Sequence, residues 1–244
     1  MQVPISRSLK RFALVTSCLF LCVLTACSTQ QAQTTDPPRA TTPASGNYDA
    51  LLGKNLIVNG DAEVGQGVPD DGHLAQTIPG WQRQGTFNVV QYDASGGFPT
   101  AKDPGPAQRG KNFFAGGPDT DANGNGVDNT KTSATQSIDI SALASLTDTE
   151  TVTYTLSGYF GGFSDQRDNA QLTVEFVGGV GQNTVTINGP TADERQSNTS
   201  LLERHSSGKL PKGTRTIKLT LTMNKLDGGY NDGYADNLSL ILSH

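Results

Sequence analysis

The feature that most constrains this chain is a recurring alternation of apolar and polar residues with a period of two. It is clearest in RTIKLTLTM (residues 215–223), where Ile217, Leu219 and Leu221 fall on one side and Lys218, Thr220 and Thr222 on the other. Only a strand sends successive side chains to opposite faces, so the run reads as a β-strand with one buried face. AQLTVEFV (170–177) repeats the pattern, with Leu172, Val174 and Phe176 directed inward. Further short runs are NLIVNG (55–60), TFNVVQY (86–92), KNFFAG (111–116), ATQSIDI (134–140), TVTYTLSGYF (151–160), NTVTIN (183–188) and NLSLIL (237–242). Clusters of Gly, Pro, Asn and Asp separate them, and helix signals are scarce. Residues 191–208 have apolar residues enough for a helical turn but not for a packed helix. Eight or more short strands predict an all-β sandwich of two antiparallel sheets. Strand number alone leaves immunoglobulin-like and jelly-roll topologies both open.

The N-terminus reads as an address. Arg7, Lys10 and Arg11 precede an apolar stretch (12–24) too short to span a bilayer comfortably. It closes on Leu24-Thr25-Ala26-Cys27, which resembles a bacterial lipobox, whose small residues suit the signal peptidase and whose cysteine receives the lipid. The rival reading is an ordinary secretory peptide that contains cysteines, as Cys18 and Cys22 also do. Cys27 is the one followed by a polar tract rich in Thr, Gln, Ser and Pro, which has little to bury and would act as a spacer. The expected organisation is a signal peptide over 1–26, lipidated Cys27 with a tether over 27–49, and one domain over 50–244. Multiple acyl chains anchor stably, so the membrane is the first expected partner. The expected home is the bacterial cell envelope, at the outer membrane or cell surface, since Ser28 is not the residue associated with inner-membrane retention.

Cleavage before Cys27 removes three of the 18 basic side chains and none of the 23 acidic ones, moving the net charge from −5 to about −8. No basic stripe remains to neutralise phosphates, which argues against nucleic acid. All three cysteines lie at or before position 27, so the domain has no disulfide, no thiolate nucleophile and no cysteine metal site. Its core, helped by any bound ion, must hold it together.

The order of motifs says more than the strand count. NLIVNGDAEVG, IPGWQ, GKNFFAGG, TQSIDIS, YTLSGYFGG and a closing YADNLSLIL resemble the extracellular galactose-binding-domain-like jelly rolls, a superfamily that includes many carbohydrate-binding modules. The resemblance runs over nearly all of 55–242. It implies a structural calcium shared by the first turn and the last strand. Matched by motif position, Glu63 and Asp236 supply carboxylates, with backbone carbonyls near Asn59 and Gly60 completing a hard-oxygen shell. Ala62 stands where the motif usually has an aromatic residue. The alternative is that Asp61, Glu63 and Asp236 only cap turns. A second, weaker calcium candidate is DTDANGNGVDN (119–129), whose Asp119, Asp121, Asn123 and Gly124 reproduce the opening of an EF-hand-like loop. Thr130 occupies the place of the bidentate glutamate, so Asp128 would have to substitute. The competing reading is a surface excursion between two strands.

Catalytic signatures are few. His73, His205 and His244 are the only histidines, and neither G-x-S-x-G nor H-E-x-x-H occurs. Asp165, Arg167 and Asp168 form the best charged cluster, but such mixtures in loops are more often solvated ion pairs. A non-enzymatic binding module is therefore expected. Sugar recognition wants an aromatic face for the C–H side of the ring and amides, carboxylates or guanidinium for its hydroxyls. Tyr230, Tyr234, Tyr159 and Trp81 are the ring candidates chosen, with Tyr92, Phe160 and Phe163 behind them, and Asn231 and Arg167 as polar partners. Trp81 follows a Pro-Gly turn and reads more readily as core. Tyr230 and Tyr234, flanked by glycines, read as loop residues. Carbohydrate is the expected ligand. A structural or adhesive envelope protein with a protein partner is the alternative, supported by the low aromatic content.

Overall fold

The computed structural model describes residues 48–244, which lie within one compact unit. The expected signal peptide, Cys27 and all but the last two residues of the tether fall outside the described residues. Eleven strands form: β1 (Val68–Asp70), β2 (Gln82–Gln84), β3 (Asn88–Ser95), β4 (Asn112–Gly117), β5 (Lys131–Asp139), β6 (Thr153–Gly162), β7 (Asn169–Val177), β8 (Thr184–Asn188), β9 (Ser200–Lys209), β10 (Thr216–Asn224) and β11 (Asn231–Ser243). Among the described residues one short α-helix, α1 (Ala144–Thr147), follows β5 after a 3-10 turn (Ser141–Leu143). One sheet has the order β1-β3-β4-β11-β6-β9 and the other β2-β5-β10-β7-β8. All pairings are antiparallel except β1 with β3.

From β4 onward the chain crosses between the sheets at every step but one, the β7–β8 hairpin, in a jelly roll. The first of these eight strands pairs with the last, and the third lies between the eighth and the sixth; in the other sheet the seventh lies between the second and the fourth, with the fifth at the edge. The expected all-β sandwich is thus present, and its topology is the jelly roll.

The core forms where the period-two faces meet. Ile217, Leu219, Leu221 and Met223 of β10 and Leu172, Val174 and Phe176 of β7 are buried, as are Leu238, Leu240 and Leu242 of β11 and Leu156 and Phe160 of β6. β10 packs across the sandwich on β11, and β6 on β7. Phe87 and Trp81 close one flank against Phe114, at 5.8 and 5.6 Å between ring centres. Fully burying each such side chain contributes roughly 1.5–3 kcal/mol.

Three expectations are corrected. Residues 55–60 form no strand; they run beside β11 on single bridges (Leu52 with Leu242, Asn55 with Ile241). Two backbone bonds remain, Leu56 N–H to Leu240 O and Leu238 N–H to Gly60 O (both 2.8 Å), and the Asn55 side chain adds two: Nδ2 donates to Leu238 O (2.9 Å) and Oδ1 accepts from Leu240 N–H (2.9 Å). Second, residues 191–208 hold one turn and then β9, a ten-residue edge strand. Third, the segment before the last apolar run is not a loop. β11 starts at Asn231, so Tyr234 and Asp236 stand on a strand.

The six-stranded sheet is also covered on its outer side. Every residue of β4 is buried, as is every residue of β11 from Asn231 to Asp236. Residues 96–110, between β3 and β4, cross this face: Pro104 O accepts from Leu201 N–H at β9, and Gln108 O from Asn237 Nδ2 at β11.

Candidate functional site

At the seam in β11 the register shifts between Asp236 and Ser239, and Asn237 takes a left-handed conformation (φ 49°). This bulge directs the Asp236 carboxylate onto the outer face. Its Oδ1 accepts from Asn237 N–H (2.7 Å) and its Oδ2 from the Tyr92 hydroxyl (2.7 Å). Burial pushes the Asp236 carboxyl up to about 8 against the lowering effect of those two bonds, and the negative charges of Glu63 and Asp61 add to the rise. Burial, then the Asp236 charge, likewise pushes the Tyr92 hydroxyl up.

Glu63 and Asp236 therefore lie in one another's field. Glu63 Oε1 accepts from Lys111 N–H and Asn112 N–H, both at 2.7 Å, fastening the first turn to β4. The expected carbonyl ligands are otherwise engaged. Asn59 O accepts from Trp81 Nε1–H (3.1 Å), and Gly60 O from Leu238 N–H (2.8 Å). Ala62 is buried with φ 57°, a backbone state in which a bulky side chain is strained, and this accounts for the missing aromatic. Asp61, Glu63 and Asp236 offer only hard oxygens and mutually repelling charge, which suits a divalent cation. The Asn59 and Gly60 carbonyls already accept bonds within the fold, and each oxygen keeps a second lone pair.

The second acidic loop is a small hairpin. Asp121 Oδ1 accepts from the N–H groups of Asn123 (2.8 Å) and Asn125 (2.9 Å), and Asp121 Oδ2 from Asn125 Nδ2 (3.1 Å). Asp128 caps Thr130 through its N–H and hydroxyl. These bonds, the Asn125 side chain first, hold the Asp121 carboxyl below its usual range. Asp119, Asp121, Asn123 and Asp128 are not brought together on one point. Among the described residues no three His, Cys, Asp or Glu side chains are arranged to hold a metal.

The ligand candidates divide by exposure. Tyr234 is wholly buried and its hydroxyl donates to Asp232 Oδ1; Asn231 is wholly buried and its Nδ2 donates to Asn129 O (2.8 Å) and Met223 O (3.2 Å). Both are corrections: the strand that carries them lies between the core and the 96–110 segment. Trp81 is buried in the core, which corrects its place among ligand residues. Tyr230 is half-buried, edge-on to Phe98 at 5.1 Å, and Tyr159 is half-buried on β6. Arg167 is exposed and forked onto Asp227, Nε to Oδ2 at 3.1 Å and Nη2 to Oδ1 at 2.9 Å. Asp168, the third member of the charged cluster, is buried and accepts from the N–H groups of Leu226, Asp227 and Asp232. It organises the loop ahead of β11 and does not face solvent.

Two features escape a reading of the sequence. Asp232 lies beside Asp168, Tyr234 and buried Arg195, and burial pushes its carboxyl up to about 7. Arg195 donates to the carbonyls of Gly162, Ser164, Gln166 and Asn198, pinning the loop after β6. No local motif marks either residue; only the meeting of β6, β7 and β11 joins them. The second feature is an open cleft of about 690 Å³ lined by Asp165, Arg167, Asn169, Asn188, Asp193, Pro190 and Leu226.

No family model matches the chain, and no curated protein matches it. Solved structures do. The enzymatically active domain of tailspike protein 4 from bacteriophage CBA120 is 13% identical with a TM-score of 0.45, over 77% of this chain and 21% of that one. A family 16 carbohydrate-binding module is 19% identical with a TM-score of 0.42, over 77% and 99%. A xylan-binding domain of family 22 is 11% identical with a TM-score of 0.35, over 69% and 90%. The chain thus spans about a fifth of the tailspike chain and nearly the whole of the family 16 module. The likeness is one of fold.

Proposed function

We propose that the chain is a lipid-tethered, non-enzymatic binding module of a bacterial envelope, anchored through Cys27, whose ligand is carbohydrate. The observation that carries this reading is the 690 Å³ cleft. Its polar groups are those that hydroxyl recognition needs: the Asn169 and Asn188 amides, the Arg167 guanidinium, and the carboxylates of Asp165 and Asp193. Among the described residues neither of those carboxylates takes a hydrogen bond from a protein donor, which leaves both for ligand hydroxyls. Leu226, 57% exposed, and Pro190 supply an apolar flank. The fork onto Asp227 holds Arg167 in place before a ligand arrives, which lowers the ordering cost of binding. Calcium belongs to the same proposal as a brace at the seam, held by Glu63 and Asp236 with Asp61 beside them, where it would neutralise repelling charge.

Titration calorimetry with xylo-, cello-, manno- and chito-hexaose tests the ligand class. Binding of at least one is expected, weakened about tenfold or more, roughly 1.4 kcal/mol, by Arg167→Ala or Asp193→Ala. Silence across the panel sinks the carbohydrate reading. The second reading, an adhesive envelope protein with a protein partner, is favoured by the absence of any aromatic ring from the cleft lining.

A further inference from the structure

Residues 96–110 form a closed unit. Arg109 donates to the carbonyls of Thr100 (2.8 Å), Asp103 (3.0 Å) and Pro106 (3.1 Å), and Asp103 Oδ2 accepts from the N–H and hydroxyl of Thr100. Its polar groups are thus satisfied largely from within, so the strap can move as a body without stranding them. Its ties to the sheet are Pro104 O to Leu201 N–H, Gln108 O to Asn237 Nδ2, bonds linking Pro99 and Ala101 to Asp93 at the end of β3, and the Arg109 guanidinium over the Tyr92 ring at 5.2 Å. Glycine stands at both ends, with Gly97 at φ 88° and Gly110 at φ 64°, so each junction has a residue tolerant of backbone change.

What the strap covers is unlike a core. Phe98, 3% exposed, inserts among Phe113, Tyr230 and Tyr234, at 5.9, 5.1 and 6.1 Å between ring centres. Beside these rings stand the Asp232 carboxylate, tied to the Tyr234 hydroxyl, and the Asn88 amide, whose Nδ2 donates to His73 O (2.9 Å) and lies 3.5 Å from the Tyr230 hydroxyl, and whose Oδ1 accepts from Ala75 N–H (2.9 Å). A sheet that needed only an apolar cover would not place a carboxylate and two phenols there, since burying them costs free energy. Rings beside hydroxyl-bonding groups are what a pyranose requires: C–H faces on aromatic surface, hydroxyls on carboxylate and amide.

We infer that residues 96–110 are a hinged strap closing a second carbohydrate seat on the outer face of the six-stranded sheet, with the Phe98 ring occupying that seat in the closed state. The ligand class rests on the carbohydrate reading above; the seat and the hinge rest on the strap. Binding at this seat requires the strap to lift, so the closed chain holds its own competitor, and affinity falls by the fraction of molecules that are closed.

The test uses the full chain and the same four hexasaccharides in calorimetry. Phe98→Ala empties the seat and is expected to tighten binding of at least one hexasaccharide about tenfold. Adding Asp232→Asn is expected to abolish that gain. Hydrogen exchange supplies a measurement that needs no variant: in the unmutated chain, strap amides 98–109 should exchange well ahead of those of β10. Strap amides as protected as those of β10 overturn the hinge, and Phe98→Ala with no gain for any sugar overturns the seat. If the unmutated chain binds through the Arg167 cleft and Phe98→Ala gains nothing, this inference alone fails. If no variant binds any sugar, both fall.

Discussion

Asp232 and Asp236 show how single residues set conditions for the fold. Both carboxyls are raised by burial, to about 7 and about 8. A carboxyl raised on folding binds its proton more tightly in the native state than in the unfolded one. Its contribution is therefore fully present below the unfolded value near 4 and is lost as pH rises through the folded value. Asp227, held at about 2 by Arg167, has the opposite sign, but its window lies below about pH 4. Between pH 5 and 8 the melting temperature should fall as pH rises, and Asp232→Asn should flatten the part of that fall below about pH 7; an unaltered profile in the variant refutes the assignment. Calcium makes a separate prediction at the seam. If Glu63 and Asp236 hold it, added calcium raises the melting temperature at pH 8, by about 2.7 kcal/mol of stability at a hundredfold excess over the dissociation constant. Asp236→Asn should remove that rise, and a melting curve indifferent to calcium and chelator in the parent chain ends the brace. Glu63 and Asp236 were legible as a pair because motif order carries them. The engagement of Asn59 O and Gly60 O was not legible, since backbone partners depend on where Trp81 and Leu238 arrive in space.

At the scale of elements, legibility followed the number of faces each strand buries. β7 and β10 bury one face against the opposite sheet, so their alternation survives in sequence. The first half of β11 is covered on both faces, by the core and by the strap, and its Asn, Asp, Gly and Tyr have no period to read. β9 is an edge strand whose alternating half-burial involves Glu203, Arg204, His205 and serines, a pattern that hydrophobicity does not report. The run 55–60 misled for another reason: its apolar residues fit a strand, but only two backbone bonds, Leu56 N–H to Leu240 O and Leu238 N–H to Gly60 O, tie it to β11, and the Asn55 side chain supplies two more. Asn55→Ala strips partners from Leu238 O and Leu240 N–H and should cost about 1–3 kcal/mol in chemical denaturation; a loss near zero would mean water replaces the amide. Gly233 is required by packing, because a Cβ there would sit 2.5 Å from Asn169 O on β7. Gly233→Ala should destabilise by about 1–3 kcal/mol through overpacking where β11 faces β7.

At the scale of the whole molecule, β11 relates anchor to site. Its C-terminal end is where the chain enters the sandwich, since Gly53 N–H donates to Leu242 O and Leu52 bridges to Leu242. Its N-terminal end adjoins the loop that Asp168 organises, through bonds to Leu226, Asp227 and Asp232, and Leu226 lines the cleft. β11 has 13 residues, so at about 3.3 Å per residue the two ends stand on the order of 40 Å apart. On the proposed anchoring through Cys27, the entry end would be the one nearer the membrane and the cleft the one away from it. Anchoring and recognition should then be separable. Cys27→Ser is expected to move the protein from the membrane fraction to the soluble fraction, with loss of incorporated labelled fatty acid. Its calorimetric affinity for whichever hexasaccharide the parent binds should be unchanged within twofold, because Cys27 is not among the residues that line the cleft. Cys27→Ser protein that stays in the membrane fraction would refute the lipid anchor. Solubilisation that also abolished sugar binding would refute the separation of anchor and cleft, and would mean that the ligand site needs the membrane to form.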